Sequence, residues 1–197
     1  MPMNAKMPTN AKVPMNTKIP TNARMQMNTK MLVVSSMLTA VLFAGQVGMQ
    51  FLPNIEIVTL LIILYTRTYG KRVFAIIYAF VLLEGLFYGF GMWWISYLYI
   101  WSIFALIVLF IKSDSVILWS MISGIFGLCF GFLCAIPYFV TGGVGAGIAY
   151  WGAGLYFDLL HCAGNVVLCA VLYRPLYRIL SFLVMETRGV CGLKERI

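Results

Sequence analysis

The sequence is short of charge, and of acidic residues above all. Only 10% of its residues are charged, with six acidic side chains against fourteen basic ones and a single histidine, whereas 62% are hydrophobic. A soluble domain of this length cannot cover so much apolar surface with so few charges, so the composition excludes a soluble protein. It is typical of an integral membrane protein.

Catalytic and metal-binding motifs are missing as well. The chain has no GxSxG, HExxH, CxxC or GxxxxGK[ST] segment, and its one histidine is too few for a usual metal site. Its five cysteines show no paired spacing, and four lie in apolar runs, where cysteine behaves as a small hydrophobe. We therefore predict that the protein is not an enzyme, that it binds no metal or cofactor, and that any ATP step belongs to another protein.

Residues 1–30 repeat a six-residue unit, MPMNAK, MPTNAK, VPMNTK, IPTNAR and MQMNTK, and each unit ends in a base. Proline recurs in four of the five units and apolar residues are few, which predicts a disordered arm. The arm is either a basic segment that contacts anionic headgroups or an expanded nucleotide repeat upstream of a true start at Met31 or Met37. The predicted domains are this arm, a membrane domain over 31–184 and a cytoplasmic tail over 185–197.

The apolar runs after the arm predict an all-α fold, a membrane bundle of six transmembrane helices. Short breaks containing proline, glycine or polar residues separate the runs. Pro53 begins the second run and Gly70 ends it, and a flexible loop is expected over Thr141–Gly147. The other breaks are Gly89 to Gly91 and Ser113 to Ser115. The expected spans are 32–51, 54–68, 72–90, 93–111, 116–138 and 150–182.

The basic residues predict the orientation of this bundle. With the N-terminus inside, all fourteen bases fall on segments of one side, and the three outer loops have none. The positive-inside rule then places both termini in the cytoplasm, and bases that flank spans do not form a nucleic-acid-binding patch. The bases are Lys6, Lys12, Lys18, Arg24, Lys30, Arg67, Lys71, Arg72, Lys112, Arg174, Arg178, Arg188, Lys194 and Arg196.

Polar residues lie within the predicted spans, where they are costly. Glu84 and Asp158 fall in the outer half of the membrane when depth is counted from the inner arginines, and Glu56, three residues after Pro53, lies close to the outer surface. His161 and Asn165 share a helical face with Asp158. These groups either bond helices to one another or line a pocket.

Aromatic residues gather at the same depth, which is typical either of an interfacial belt or of a pocket with stacking walls. The combination favours an outward-facing substrate pocket. Its predicted residues are Gln46, Asn54, Glu84, Trp94, Tyr97, Asp158, His161 and Asn165.

Small residues follow one face of the first apolar run. Ser36, Ala40, Ala44 and Gly48 recur every four residues, so they form a smooth groove on which a second membrane helix can pack closely. The amide of Gln46 lies on the other side of the helix. We therefore predict that the four small residues are a docking face for a partner.

With the Ala40-Val-Leu-Phe-Ala44 segment on helix one, the chain resembles the substrate-binding S components of energy-coupling factor transporters, the prokaryotic vitamin importers. The resemblance covers about residues 32–183. It includes the size, the six spans and the segments LPNIEIVTLLIILYT, FVLLEGLFYGFGMWWI and YFDLLHCAGN. It implies that Ala40 and Ala44 dock on a membrane-embedded T component, which works with two cytoplasmic ATPases.

The resemblance implies a subunit of the prokaryotic plasma membrane that captures a vitamin-like micronutrient outside and delivers it inward. The substrate stays open among a B vitamin, a corrinoid and a modified nucleobase, as does the question of whether the ATPases are shared or dedicated. The alternative is a stand-alone small permease or sensor that uses its buried carboxylates. An intramembrane enzyme that depends on His161 is a third reading.

Overall fold

A computed structural model describes the backbone of residues 21–193 and the side chains of residues 29–183. The described part is helical, with no strand, which confirms the predicted all-α class. The chain divides into a unit that ends at Val34 and a unit that begins at Ser35, and the packing described below belongs to the second. Its helices are α1 (Thr21–Met49), α2 (Val58–Tyr69), a 3₁₀ turn (Gly70–Arg72), α3 (Val73–Tyr88), α4 (Met92–Phe110), and α5 and α6, which together form Val116–Leu193.

α5 and α6 are two helices that meet at a break at Gly143. Gly143 has a φ of 77°, a conformation that is open to glycine because it has no Cβ. We label residues 116–142 α5 and residues 144–193 α6. The predicted flexible loop over Thr141–Gly147 is therefore wrong. The helices continue up to Gly143 from both sides, and the Thr141 hydroxyl donates to the carbonyl of Pro137 at 2.9 Å.

Helix α1 begins earlier than the first predicted span. Residues 1–20 of the predicted arm lie outside the described residues, whereas residues 21–30 form the first turns of α1. No proline occurs after Pro20 in this segment, so nothing in it prevents the helix from extending N-terminally from the apolar run. At the other end of the chain, α6 continues to Leu193, through most of the predicted tail.

Helix α2 starts later than expected. Pro53 lies in a turn and the helix begins at Val58, so residues 54–57, which the sequence assigned to the span, belong to the connection from α1. Every residue from Val58 to Thr66 is buried, as expected for a helix that is apolar on all sides and surrounded by others. Gly70 ends it with a φ of 59°, as the sequence predicted.

Three segments of the described chain are long and apolar enough to cross a membrane, namely Thr29–Met49, Met92–Phe110 and Val116–Leu183. The third contains the break at Gly143. α2 and α3 are shorter, with 12 and 16 residues. The predicted breaks at Gly89 to Gly91 and at Ser113 to Ser115 both separate helices. The fold is that of a helical membrane protein.

Candidate functional site

A cavity of about 450 Å³ lies within the second unit, at the ends of α1 and α3 and the beginning of α4. The connection from α1 to α2 covers part of it, and Phe130 of α5 and His161 of α6 complete the wall. Its volume is in the range of small-molecule sites, which is roughly 300–1,000 Å³. The remaining lining residues are Gln46, Met49, Gln50, Leu52, Pro53, Asn54, Ile55, Glu56, Glu84, Tyr88, Trp93, Tyr97 and Trp101.

Glu56 is the centre of a polar network beside the cavity. Its carboxylate accepts hydrogen bonds from the backbone N–H of Thr59, at 2.8 Å, and from the Thr59 hydroxyl. Nε2 of His161 lies 3.0 Å from Oε1 of Glu56. Behind them, the amide of Asn165 donates to the Thr59 hydroxyl at 3.3 Å and to the Ser123 carbonyl at the same distance. The network joins α2, α5 and α6 through groups that are all buried.

The charge of Glu56 follows from this network. Glu56 precedes α2, and burial by itself raises its pKa, but the hydrogen bond and charge of His161 and the two bonds from Thr59 lower it. The net effect is a pKa below the ordinary value of 4.5. Glu56 is therefore ionised, so Nε2 of His161 carries the proton that is shared with it.

Glu84 has the opposite environment. It is 2% exposed, and its Oε1 has no hydrogen-bond partner among the described residues. Three more cavity-lining side chains have a buried polar atom without a partner in this part of the chain: Gln46 at Oε1, Trp101 at Nε1 and His161 at Nδ1. Buried polar groups in native proteins usually have partners. These four atoms are the groups around the cavity that an ordered water or a ligand could satisfy.

The cavity brings together five of the eight residues that the sequence predicted for the pocket. Asn54 lines it with a φ of 55°, and its amide also donates to the Phe157 carbonyl at 3.1 Å. These five are Gln46, Asn54, Glu84, Tyr97 and His161.

The other three predicted pocket residues lie elsewhere and hold helices together. Trp94 donates from its indole nitrogen to the Val81 carbonyl at 2.8 Å, between α4 and α3. Asp158 accepts from the Gly131 N–H at 2.9 Å, between α6 and α5, and Asn165 belongs to the network behind Glu56. Asp158, His161 and Asn165 do share a face of α6, but only His161 reaches the cavity.

Sequence reasoning missed several residues of the cavity wall. The sequence marks Glu56 as a costly carboxylate but the predicted pocket does not include it, although its spacing from Asn54 in the same connection is a usable signal. Tyr88 and Trp93 belong to the aromatic residues that gather at the predicted pocket depth, whereas Trp101 is not part of that prediction. Phe130, in the middle of an apolar run, carries no signal by itself. The other missed residues are Met49, Gln50, Leu52, Pro53 and Ile55.

Helix α1 has different surfaces on its two sides. Gln46, Met49 and Gln50 face the cavity, whereas Ser36, Ala40, Ala44 and Gly48 are all exposed. A Cβ at Gly48 would meet no atom within 4 Å. The small-residue face is therefore exposed along α1 in the described part of the chain.

The basic side chains that the structure describes do not line the cavity. Arg67, near the end of α2, pairs with Asp114 in the turn between α4 and α5. Its guanidinium lies 5.3 Å from the ring centre of Trp119 and 5.8 Å from that of Tyr177. These contacts join the C-terminal end of α2 and the turn after α4 to the start of α5 and to α6. The cavity lies instead at the C-terminal end of α3 and the N-terminal end of α4.

Comparison of the chain with protein-family models, with curated proteins and with solved structures finds no match. The functional argument therefore depends on the residues of the chain and their geometry.

Proposed function

We propose that this protein is the substrate-binding subunit of an energy-coupling factor importer in a prokaryotic plasma membrane. It captures a vitamin-like micronutrient at the outer face and passes it inward together with a T component and two cytoplasmic ATPases. The observation that carries the proposal is that α1 has a different surface on each side. One side lines a cavity whose residues include buried polar atoms without a described partner, and the other side is an exposed face of small residues.

The cavity supports substrate binding, and the charge distribution supports its orientation. In a bundle of six spans, the end with Arg67, Lys71, Arg72 and Lys112 faces the cytoplasm under the positive-inside rule. The cavity then opens outward, where nutrient capture must begin. Its aromatic walls and unpartnered polar atoms suit a ligand that has both a ring system and hydrogen-bonding groups.

The exposed face of α1 supports docking on a membrane partner. Helices in lipid associate through close packing of small side chains, and Ser36, Ala40, Ala44 and Gly48 are all exposed on α1. Cargo and energy-supplying partner would then bind opposite sides of one helix, so a movement of α1 against its partner could be transmitted to the cavity.

Co-purification tests the proposal. The tagged wild-type protein, expressed together with candidate T and ATPase subunits, should retain them in mild detergent. Ala40→Trp and Ala44→Trp should each abolish the complex and the uptake, because an indole keeps the helices apart. Leu159→Trp is the matched control, since Leu159 of α6 is 61% exposed and lies outside the docking face. Intact complexes in both alanine variants would refute the docking face.

A stand-alone permease or sensor is the second candidate, and Glu84 favours it. A buried carboxylate without a partner can exchange a proton with water and so couple transport to proton movement. Uptake in a host that has no energy-coupling factor ATPases would support this candidate. Uptake that requires the ATPases would exclude it.

A further inference from the structure

The cavity has an imbalance between hydrogen-bond acceptors and donors. Among the described residues that line the cavity, the unpartnered buried atoms include two acceptors, Oε1 of Gln46 and Oε1 of Glu84, and one donor, the indole nitrogen of Trp101. A ligand that satisfies them must bring more donors than acceptors.

The charged residues that line the cavity favour a cationic ligand. No lysine or arginine is among the residues that line it in the described chain. Glu56 already has three hydrogen bonds, including one from His161, whereas Glu84 is almost completely buried with no partner for its Oε1. An ionised carboxylate is stable in such a place only when a positive charge or several donors meet it.

The aromatic side chains of the cavity wall provide a surface for the ring of a ligand. Tyr97 packs edge-on against Trp93, with ring centres 5.3 Å apart, and against Trp101 at 5.5 Å. Rings held in this way present faces and edges to a ligand, and aromatic faces attract cations.

We propose that the ligand of this cavity is a small ring compound with a protonated amine, whose cationic nitrogen binds Glu84 while the ring packs between Trp93, Tyr97 and Trp101. The inference deepens the proposed function by naming a substrate class. It excludes acidic substrates, because no basic side chain would meet their carboxylate or phosphate. It also excludes a corrinoid, most of which would lie outside a cavity of about 450 Å³.

Three indoles of nearly equal size test the charge preference. Tryptamine is cationic, tryptophol replaces its ammonium with a hydroxyl, and indole-3-acetate is anionic. Binding to the purified protein in lipid nanodiscs is measured by calorimetry. We expect tryptamine to bind about tenfold or more tightly than tryptophol, and indole-3-acetate to bind most weakly, because pairing with a buried charge carries this discrimination.

Glu84→Gln should remove the preference, so that tryptamine and tryptophol bind with similar Kd values. Asp158→Asn is the control, since Asp158 is equally buried but bonds to Gly131 away from the cavity, and it should keep the preference. Should Glu84→Gln fail to fold, Glu84→Asp should keep the preference at reduced affinity. Equal binding of the three indoles, no binding of any of them at millimolar concentration, or a preference that survives Glu84→Gln would overturn the inference.

The outcomes separate this inference from the proposed function. A charge preference in a protein that never associates with a T component or ATPases would leave the ligand class standing and refute the importer subunit. Assembly and ATPase-dependent uptake without a charge preference would support the importer subunit and refute the ligand class.

Discussion

Two glutamates at the same cavity have different chemical roles. Glu56 accepts three hydrogen bonds from Thr59 and His161, so its charge is compensated by the protein. Glu84 has no partner for its Oε1 among the described residues. The charge of the first is met within the bundle, and the second is the carboxylate to which we assign the proposed ligand.

The compensated glutamate should make stability depend on pH. Since the pKa of Glu56 is lower in the folded protein than its ordinary 4.5, its ionised form favours folding. This contribution is complete above about pH 4.5 and is lost as the pH falls through the folded-state pKa. We expect acidification to cost the wild type about 1.5–3 kcal/mol more than Glu56→Gln, the range for hydrogen bonds to charged groups.

Thermal unfolding in detergent between pH 6 and pH 3 measures this difference. The apparent Tm of the wild type should fall more steeply than that of Glu56→Gln. Parallel curves for the two proteins would show that the hydrogen bonds of Glu56 do not favour its charged form.

At the scale of elements, glycines allow α5 and α6 to pack in close contact. A Cβ at Gly127 would lie 2.9 Å from the backbone of His161 and Cys162, and a Cβ at Gly131 would overlap the Asp158 carboxylate. These contacts, with the Ser123 to Asn165 bonds, pair the helices around the break at Gly143. The same close approach positions His161 at the cavity.

Gly127→Ala should therefore destabilise the helix pair. The methyl group would meet backbone atoms that cannot rotate away, and overpacking of this kind costs about 1–3 kcal/mol. Gly152→Ala is the control in α6, because a Cβ there meets nothing within 4 Å. Apparent unfolding temperatures in detergent compare the two, and equal stability of both variants would contradict the close packing.

A second contact between elements compensates for a proline. Pro137 has no N–H to donate to the Leu133 carbonyl one turn earlier, and the Tyr99 hydroxyl of α4 donates to that carbonyl at 2.6 Å instead. Tyr99→Phe should cost about 1–3 kcal/mol, because it leaves a partly buried carbonyl without a hydrogen-bond donor.

A double-mutant cycle tests this compensation. Pro137→Ala restores the backbone donor, so Tyr99→Phe should cost clearly less in that background. Unfolding of the four proteins by denaturant gives the coupling energy. An unchanged cost would mean that the tyrosine acts only through packing.

At the scale of the whole molecule, the second unit has a basic end and a cavity end. Arg67, Asp114 and Tyr177 meet at the first, and Asn54 and Tyr88 lie at the second. With the basic end in the cytoplasm, the two ends should differ in their access to reagents outside the cell.

Cysteine labelling tests this orientation. With the native cysteines replaced, Asn54→Cys should react with a membrane-impermeant maleimide in intact cells. Ser115→Cys, in the turn between α4 and α5, should react only after permeabilisation. The opposite pattern would invert the topology and place the cavity inside.

Much of the fold could be predicted from the sequence because the local signals are strong. Apolar runs determine where helices form, and Gly70, the Gly89 to Gly91 break and the Ser113 to Ser115 turn end them as predicted. The errors are at boundaries. Pro53 lies in a turn ahead of α2. The segment 141–147, with four glycines among its seven residues, is helical up to Gly143 from both sides, although its glycines predict a loop.

The sequence by itself determined that this is an all-helical membrane protein and that α1 carries a face of small residues, since composition and periodicity depend only on neighbours along the chain. Only the tertiary structure decided which polar residues share the cavity. Asp158 and His161 lie three residues apart on one helix, yet one bonds α5 and the other reaches Glu56. That division depends on how helices distant in sequence pack, and no local pattern encodes it.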